Sequence, residues 1–291
     1  MADVAADRPG RRPAPSFAAR AARHRSFAIG AALTAAMIAM ALVSLVWTPH
    51  SPTQIYVKNM LQPPSATHWF GTDQFGRDIV SMIMAGAQTS IVVGVVAVGI
   101  GIVGGSILGL FAAALRGWVE EAIMRLTDFT YAFPAILVAI LITAAWSPGI
   151  VNAIVAIGIA NIAIFARVVR GAANAIWARE FVLAARAAGR SRTAITASHI
   201  LPNITSVIVV QATIQFAIAI LAEAALSYLG LGTQPPEPSW GRMLSEAQNF
   251  ILFVPMLAVY PGLAIVLAVL GLNLLGDGLR DLLDPRLARQ R

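Results

Sequence analysis

Cysteine is absent from the 291 residues, so the chain holds no disulfide framework and no thiolate metal site. Lysine is nearly absent too: Lys58 is the only one, in YVKNML, with no glycine-rich loop beside it. A phosphate-cradling P-loop needs a lysine directly after its glycines, so this chain cannot be its own Walker-type ATPase. Charge as a whole is scarce, at 12% of residues against about 25% in soluble domains. In its place 58% of residues are hydrophobic and mean hydropathy is +0.74. Together these values exclude an ordinary soluble domain and point to a protein of the bilayer.

Apolar runs, each of roughly 20 residues and long enough for a hydrocarbon core of about 30 Å, recur along the chain. They are Phe27 to Trp47, Gln88 to Leu115, Phe129 to Trp146, Ile150 to Val169, Ile204 to Leu231 and Phe250 to Leu275. Backbone polar groups must be satisfied inside lipid, and the runs lack the alternation of barrel strands, so helices are expected. The fold class is an all-α polytopic membrane domain, residues 27–291, with about six transmembrane helices. Pro134, Pro255 and Pro261 predict kinks or helix ends. The first run exceeds the roughly 7–15 residues of a signal h-region, and Trp47-Thr48-Pro49-His50 offers no small-residue cleavage site. An uncleaved first span is expected. Residues 1–26, rich in Ala, Pro and Arg, predict a disordered basic cytoplasmic tail.

With the amino terminus inside and six spans, 18 of the 21 basic residues fall on the cytoplasmic side. Only Lys58, Arg77 and Arg242 lie outside, and the reverse orientation would invert the usual bias. Both termini are therefore predicted to be cytoplasmic, with outer segments at 48–86 and 232–249. The net charge of +7 suits anionic inner-leaflet lipid and calls for no nucleic acid.

Few polar groups fall within the runs. Glu223 lies in the fifth, with Asp128 and Asp277 near span ends. An intramembrane carboxylate serves either a structural hydrogen bond between helices or a transport path, and both readings stand for Glu223. No series of acids suggests a proton relay. Gly101, Gly105 and Gly109 make consecutive GxxxG steps and predict close helix packing. The histidines, His24, His50, His68 and His199, include no close-spaced pair. No metal ligand set is expected, because a dehydrated transition ion wants several imidazole or soft donors together.

Between the fourth and fifth runs lies REFVLAARAAGRSRTAITASHILPN, residues 179–203. As a helix it stacks Arg179, Arg186 and Arg190 on one side and Ala184 and Ala188 on another. Gly189 suits a helix stop, and Pro202 suits the start of the next helix. Such a segment either lies along lipid headgroups or offers a surface to a partner.

Ala184, Ala185 and Gly189, followed by His199 to Asn203 as HILPN, resemble the EAA loop of permease subunits in ATP-binding-cassette (ABC) importers. The resemblance implies a type I permease fold with a coupling loop at 171–203 that docks on a separate ATPase. The implied loop residues are Glu180, Ala184, Ala185, Arg186, Gly189, Leu201 and Pro202. Leu183 occupies the position where the family carries its glutamate, and Glu180, three residues earlier, is no positional substitute. Three further stretches, HWFGTDQFGRDIVSMIMAGAQTS from His68, ILAEAALSYLGLGTQPPEPSWGRML from Ile220 and NLLGDGLRDLLDPRL from Asn273, are similar to the C-type subunit of the peptide and nickel branch.

That branch implies a non-enzymatic inner-membrane subunit paired with a second, B-type permease. Two ABC ATPase subunits would bind ATP and Mg, none of it held by this chain, and an external binding protein would deliver the substrate. Di- or oligopeptides are the implied cargo, with nickel or another small solute as the alternative. Pro235, Pro236 and Trp240 are candidates for an outer gate or docking surface, the other reading being a rigid connection. The outer segment around Val57 to Met84 admits the same two readings. Rivals of other classes are an ion-coupled carrier, active without any ATPase and dependent on Glu223, and a passive channel or scaffold.

Overall fold

Among the described residues the long apolar runs are mostly helical, since a helix pairs its own backbone in lipid. The computed structural model describes residues 21–22 and 24–283. Most of the predicted tail, 1–26, lies outside the described residues. Helices of crossing length are α1 (Arg25–Ser44), α2 (Ile79–Leu115), α5 (Ile150–Trp177) and α10 (Met256–Leu283), together with a continuous segment from Arg192 to Tyr228. Between α2 and α5 come α3 (Gly117–Ala132) and α4 (Ala135–Ala145). The short α6 (Glu180–Ala187) follows α5. Then α7 (Arg192–Ile195) widens through a π turn at Thr196–Ile200 into α8 (Leu201–Tyr228). A last short helix, α9 (Trp240–Ala247), lies before α10.

The third predicted span, Phe129 to Trp146, is not one straight helix. Pro134 cannot donate to a helical ladder, and its ring drives the preceding residue to extended backbone. Phe133 accordingly sits at φ −98° and ψ 129°, and the axes on either side differ by 82°. At 11 residues, α4 is about 16 Å long and cannot span the core alone.

Helix packing nevertheless requires a crossing there. Glycines in α2 meet α5 in parallel register: Gly101 faces Asn161, Gly105 faces Phe165 and Ala166, and Gly109 faces Val169 and Arg170. Each step of four along one helix is matched by four along the other, so both run in the same direction. The chain must therefore return from the end of α2 to the start of α5, and α3 with α4 is that return. The termini agree. α1 runs antiparallel to α10, with Gly30 against Gly271 and Leu275, Gly278 against Phe27, and His24 Nε2 3.2 Å from Asp281 Oδ2. Among the described residues six crossings, the bent pair taken as one, put both ends of the bundle on one face, which the arginine bias makes the inner face.

α2 starts nine residues before the predicted Gln88. Asp78 caps it, its Oδ2 accepting from Ser81 N at 2.9 Å. In its first turns Ile79, Met82 and Ile83 are buried in the cluster that includes Trp240 and Met243 of α9 and Leu257 of α10 rather than exposed to lipid. Two apolar clusters fill the interior, one among α2, α5 and α8, the other among α1, α2, α8, α9 and α10. Trp47 and Trp146 toward the outer side, and Trp118 toward the inner, remain exposed where headgroups would lie.

The glycine seam gives a differential test. A side chain at Gly105 would collide with Phe165 and the α5 backbone, whereas nothing lies within 4 Å of a side chain at Gly99 on the same helix. Gly105→Leu is expected to cost at least about 1–3 kcal/mol of stability, and Gly99→Leu close to none. Thermal unfolding of the two detergent-solubilised variants, compared with the parent, measures the difference.

Candidate functional site

At the inner face the polar 179–203 segment is built into the bundle. Val182 of α6, Ile195 and Ile200 are fully buried and belong to the same apolar cluster as Val169, Ala173 and Trp177 of α5. α6 therefore shares a core with the spans on either side of it. Its other side faces out: Phe181, Leu183, Ala184 and Arg186 are exposed, and Ala185 is half-buried against the core. Glu180 sits exposed in the first turn, where a carboxylate suits the helix dipole. Leu183 points an apolar, half-exposed side chain to the surface, so no ion pair arises at that position.

Gly189 ends α6 with φ +78°. Its N–H donates to Arg186 O at 3.0 Å and Arg190 N donates to Ala185 O at 3.2 Å, the paired bonds of a Schellman stop. Leu201 and Pro202 lie exposed in the first turn of α8, and the His199 ring stacks on Phe181 with centroids 6.3 Å apart. Beside α6 opens a cavity of about 750 Å³ bordered by Arg179, Phe181 and Asn203.

Basic residues that sequence spacing did not single out fasten this face. Arg192 Nη1 donates to Ala114 O at 2.8 Å, satisfying a carbonyl left free at the end of α2. Arg170 pairs with Glu120 and Arg167 with Asp128, each at 2.6 Å, docking α3 on α5. Asp128 is thus an exposed ion-pair partner at the inner face, and Asp277 is exposed as well.

At the outer face, GTDQFGRD folds as a cap over the start of α2. Gly71 and Gly76 take φ +79° and +76°, and a side chain at either would strike a neighbouring backbone carbonyl. Asp73 Oδ1 accepts from Phe75 N and Arg77 N at 2.9 and 2.8 Å. Arg77, buried, bridges Asp73 to Glu246 of α9, which also accepts from Arg242 at 2.8 Å. Phe70 stacks on Tyr260 of α10, centroids 4.3 Å apart.

Within the span, Glu223 is fully buried. Its Oε1 accepts from Ser227 at 2.6 Å and Thr233 at 3.2 Å, tying α8 to the outer loop that follows it. Sequence alone left a bond between helices and a transport-path role both open for Glu223; the bonds found join a helix to its own outgoing loop. Gly230 at φ +78° ends α8 with the same pair of bonds as Gly189. Pro235 and Pro236 are exposed at the tip of the loop, joined by a cis peptide bond.

Trp240 corrects an expectation. Its side chain is wholly buried, its Nε1 donates to Ile83 O at 3.0 Å and its indole fills the space left by Gly86. It cannot offer a docking surface; it pins α9 onto α2. Gly241 completes the contact by lying directly on the backbone of Ala224. Trp240→Ala should therefore cost about 3–5 kcal/mol by removing a buried ring. Trp240→Phe, which mainly loses the donor to Ile83 O, should cost about 1–3 kcal/mol. Chemical unfolding in detergent ranks the two, whereas a surface residue would give no such order.

His50 and His68, distant in sequence, lie with ring centroids 4.4 Å apart beside Asp78.

A chain of the MetNI methionine ABC transporter in an inward-facing conformation shares the fold, with a TM-score of 0.57 over 72% of this chain and 95% of that one, at 18% identity. The dipeptide transport system permease protein DppC of Alkalihalophilus pseudofirmus is 45% identical over 259 residues, covering 89% of this chain and 85% of the relative. The glutathione transport system permease protein GsiD of Escherichia coli is 44% identical over 267 residues, covering 91% and 88%. Residues 105–289, which include the inner loop, Glu223 and the α8–α9 connection, match the model of a family described as the binding-protein-dependent transport system inner membrane component. The chain is a multi-pass membrane protein of that family and belongs among its transport permease subunits.

Proposed function

We propose that this chain is one of two permease subunits in an ATP-driven importer of di- or oligopeptides, and that α6 is its contact with the motor. In this reading a related B-type permease completes the path, two separate ABC ATPases bind ATP and Mg, and an external binding protein presents the peptide at the outer face. The names of its dipeptide and glutathione relatives support a short peptidic cargo.

The observation that carries the reading is the two-sidedness of α6. One side, through Val182, is continuous with the core of α5 and α8; the other exposes Phe181, Leu183 and Ala184 on a short helix with a defined stop at Gly189. A helix that merely floated on headgroups would need no such anchorage. The small residue at 184 lets a partner approach the helix closely, while Ala185 packs toward the core. ATP would drive the cycle by binding one arrangement of the assembly better than the other. The helices would then open alternately to the two sides, the logic shared by alternating-access transporters.

Leu183 and Ala184 are exposed, so substitutions there test docking with little threat to the fold, whereas any side chain at Gly189 would be strained by its φ of +78°. In proteoliposomes holding the whole importer, Ala184→Trp and Leu183→Arg are expected to cut ATP-dependent peptide uptake at least tenfold. Hydrolysis by the ATPases should continue, uncoupled from uptake. Unchanged coupled uptake by both variants refutes the α6 contact, and uptake without any ATPase subunit refutes the importer reading.

A further inference from the structure

We propose that His50, His68 and Asp78 form a three-ligand site for a divalent transition-metal ion such as Zn²⁺ on the outer face. His68 Nδ1 lies 3.0 Å and His50 Nδ1 3.7 Å from the same oxygen, Asp78 Oδ1. One donor atom from each of the three side chains lies within 4.8 Å of the others. In a tetrahedral zinc site with bonds of about 2.0–2.1 Å, neighbouring donors stand roughly 3.3 Å apart. The two distances to Asp78 fall on either side of that value, and the third edge, no longer than 4.8 Å, would need to close by at most about 1.5 Å.

The carboxylate is prepared for the task. Asp78 Oδ2 is engaged by Ser81, whose N–H and Oγ donate at 2.9 and 2.7 Å. That leaves Oδ1 aimed at the imidazoles, an outer hydrogen-bonded support of the kind that orients metal ligands. Ser81 Oγ also accepts from His50 N at 3.0 Å, so one side chain positions two of the three ligands.

A plain hydrogen bond between His68 and Asp78 explains half of this arrangement and leaves His50 unexplained. Its Nδ1 is shielded from solvent without a hydrogen-bond partner, close to a carboxylate oxygen and beside a second imidazole. An ion taking the lone pair of that nitrogen would satisfy it. The cluster forms part of the wall of a cavity of about 330 Å³ that also includes Ser51, Asn59 and Gln62. Three protein ligands with one side toward a cavity is the open coordination that leaves room for water or a further donor. The ion would join the chain leaving α1, the outer loop and the first residue before α2.

The site is independent of the cargo, and its test does not use uptake. The untagged full chain, purified with its partner subunits in detergent and stripped by chelator, is dialysed against Zn²⁺. One tightly held Zn²⁺ per chain is expected, with His50→Asn and His68→Asn each weakening it by about tenfold or more. Co²⁺ in its place should give the visible absorption of a tetrahedral ion, lost in both variants. Zn²⁺ should also raise the thermal unfolding midpoint of the parent and not of the double variant. His50→Asn is the deciding substitution, because its imidazole makes no hydrogen bond whose loss could disturb the fold. Absence of stoichiometric Zn²⁺ on the parent, or equal binding by the double variant, overturns the proposal.

Discussion

The close parallel approach of α2 and α5 is the constraint on which the rest of the bundle depends. Gly101, Gly105 and Gly109 remove the side chains that would hold the two helices apart, and Asn161 Nδ2 reaches Ala97 O at 3.4 Å across the seam. In lipid there is little hydrophobic force between helices, so contact of this kind carries the association. Parallel neighbours need a return crossing between them. That requirement explains why a segment as broken as α3 and α4 persists: its bend is tolerated because Arg170 and Arg167 hold α3 to α5 from the inner side.

The same seam leads to the inner loop. α5 continues its buried face into Trp177 and meets Val182, Ile195 and Ile200 before the chain turns up into α8. A polar connection of this length between two spans would ordinarily be loose. Here three fully buried aliphatic residues and a Schellman stop give it a fixed shape, and Arg192 fastens it to the end of α2. The outer side is held differently, by a buried Arg77–Asp73–Glu246 network and by Trp240 against Ile83. Burial of that ion pair is matched by hydrogen bonds to the remaining oxygens, the condition under which a buried pair persists.

Much of this was legible in the residues themselves. Hydropathy located five of the crossings, the glycine period announced a close contact, and Gly189 marked a helix end, because each of these signals is local. Long-range facts were not. The run from Phe129 to Trp146 reads as one apolar stretch, and only the backbone demands of Phe133 and Pro134 divide it. Trp240 looks the same in sequence whether it faces a partner or Ile83; Gly86, far earlier in the chain, decides the matter by leaving it room. His50 and His68 sit in different loops, and it is the fold of GTDQFGRD around Gly71 and Gly76 that brings them together. Leu183 remains the one departure from the loop motif, and its exposure shows an apolar surface where the family carries charge.

With 37 residues, α2 is about 55 Å long, well beyond the roughly 30 Å of hydrocarbon it crosses. No proline interrupts it, its first residue is held by Asp78, and its last carbonyls are held by Arg192. It is therefore a single boom with an attachment at each end. Over such a length, a tilt of about 5° sweeps the far tip through roughly 5 Å. Small rotations of this helix together with the α5 packed along it would thus be magnified into displacements of atomic size at the outer rim, with no proline in between to bend it.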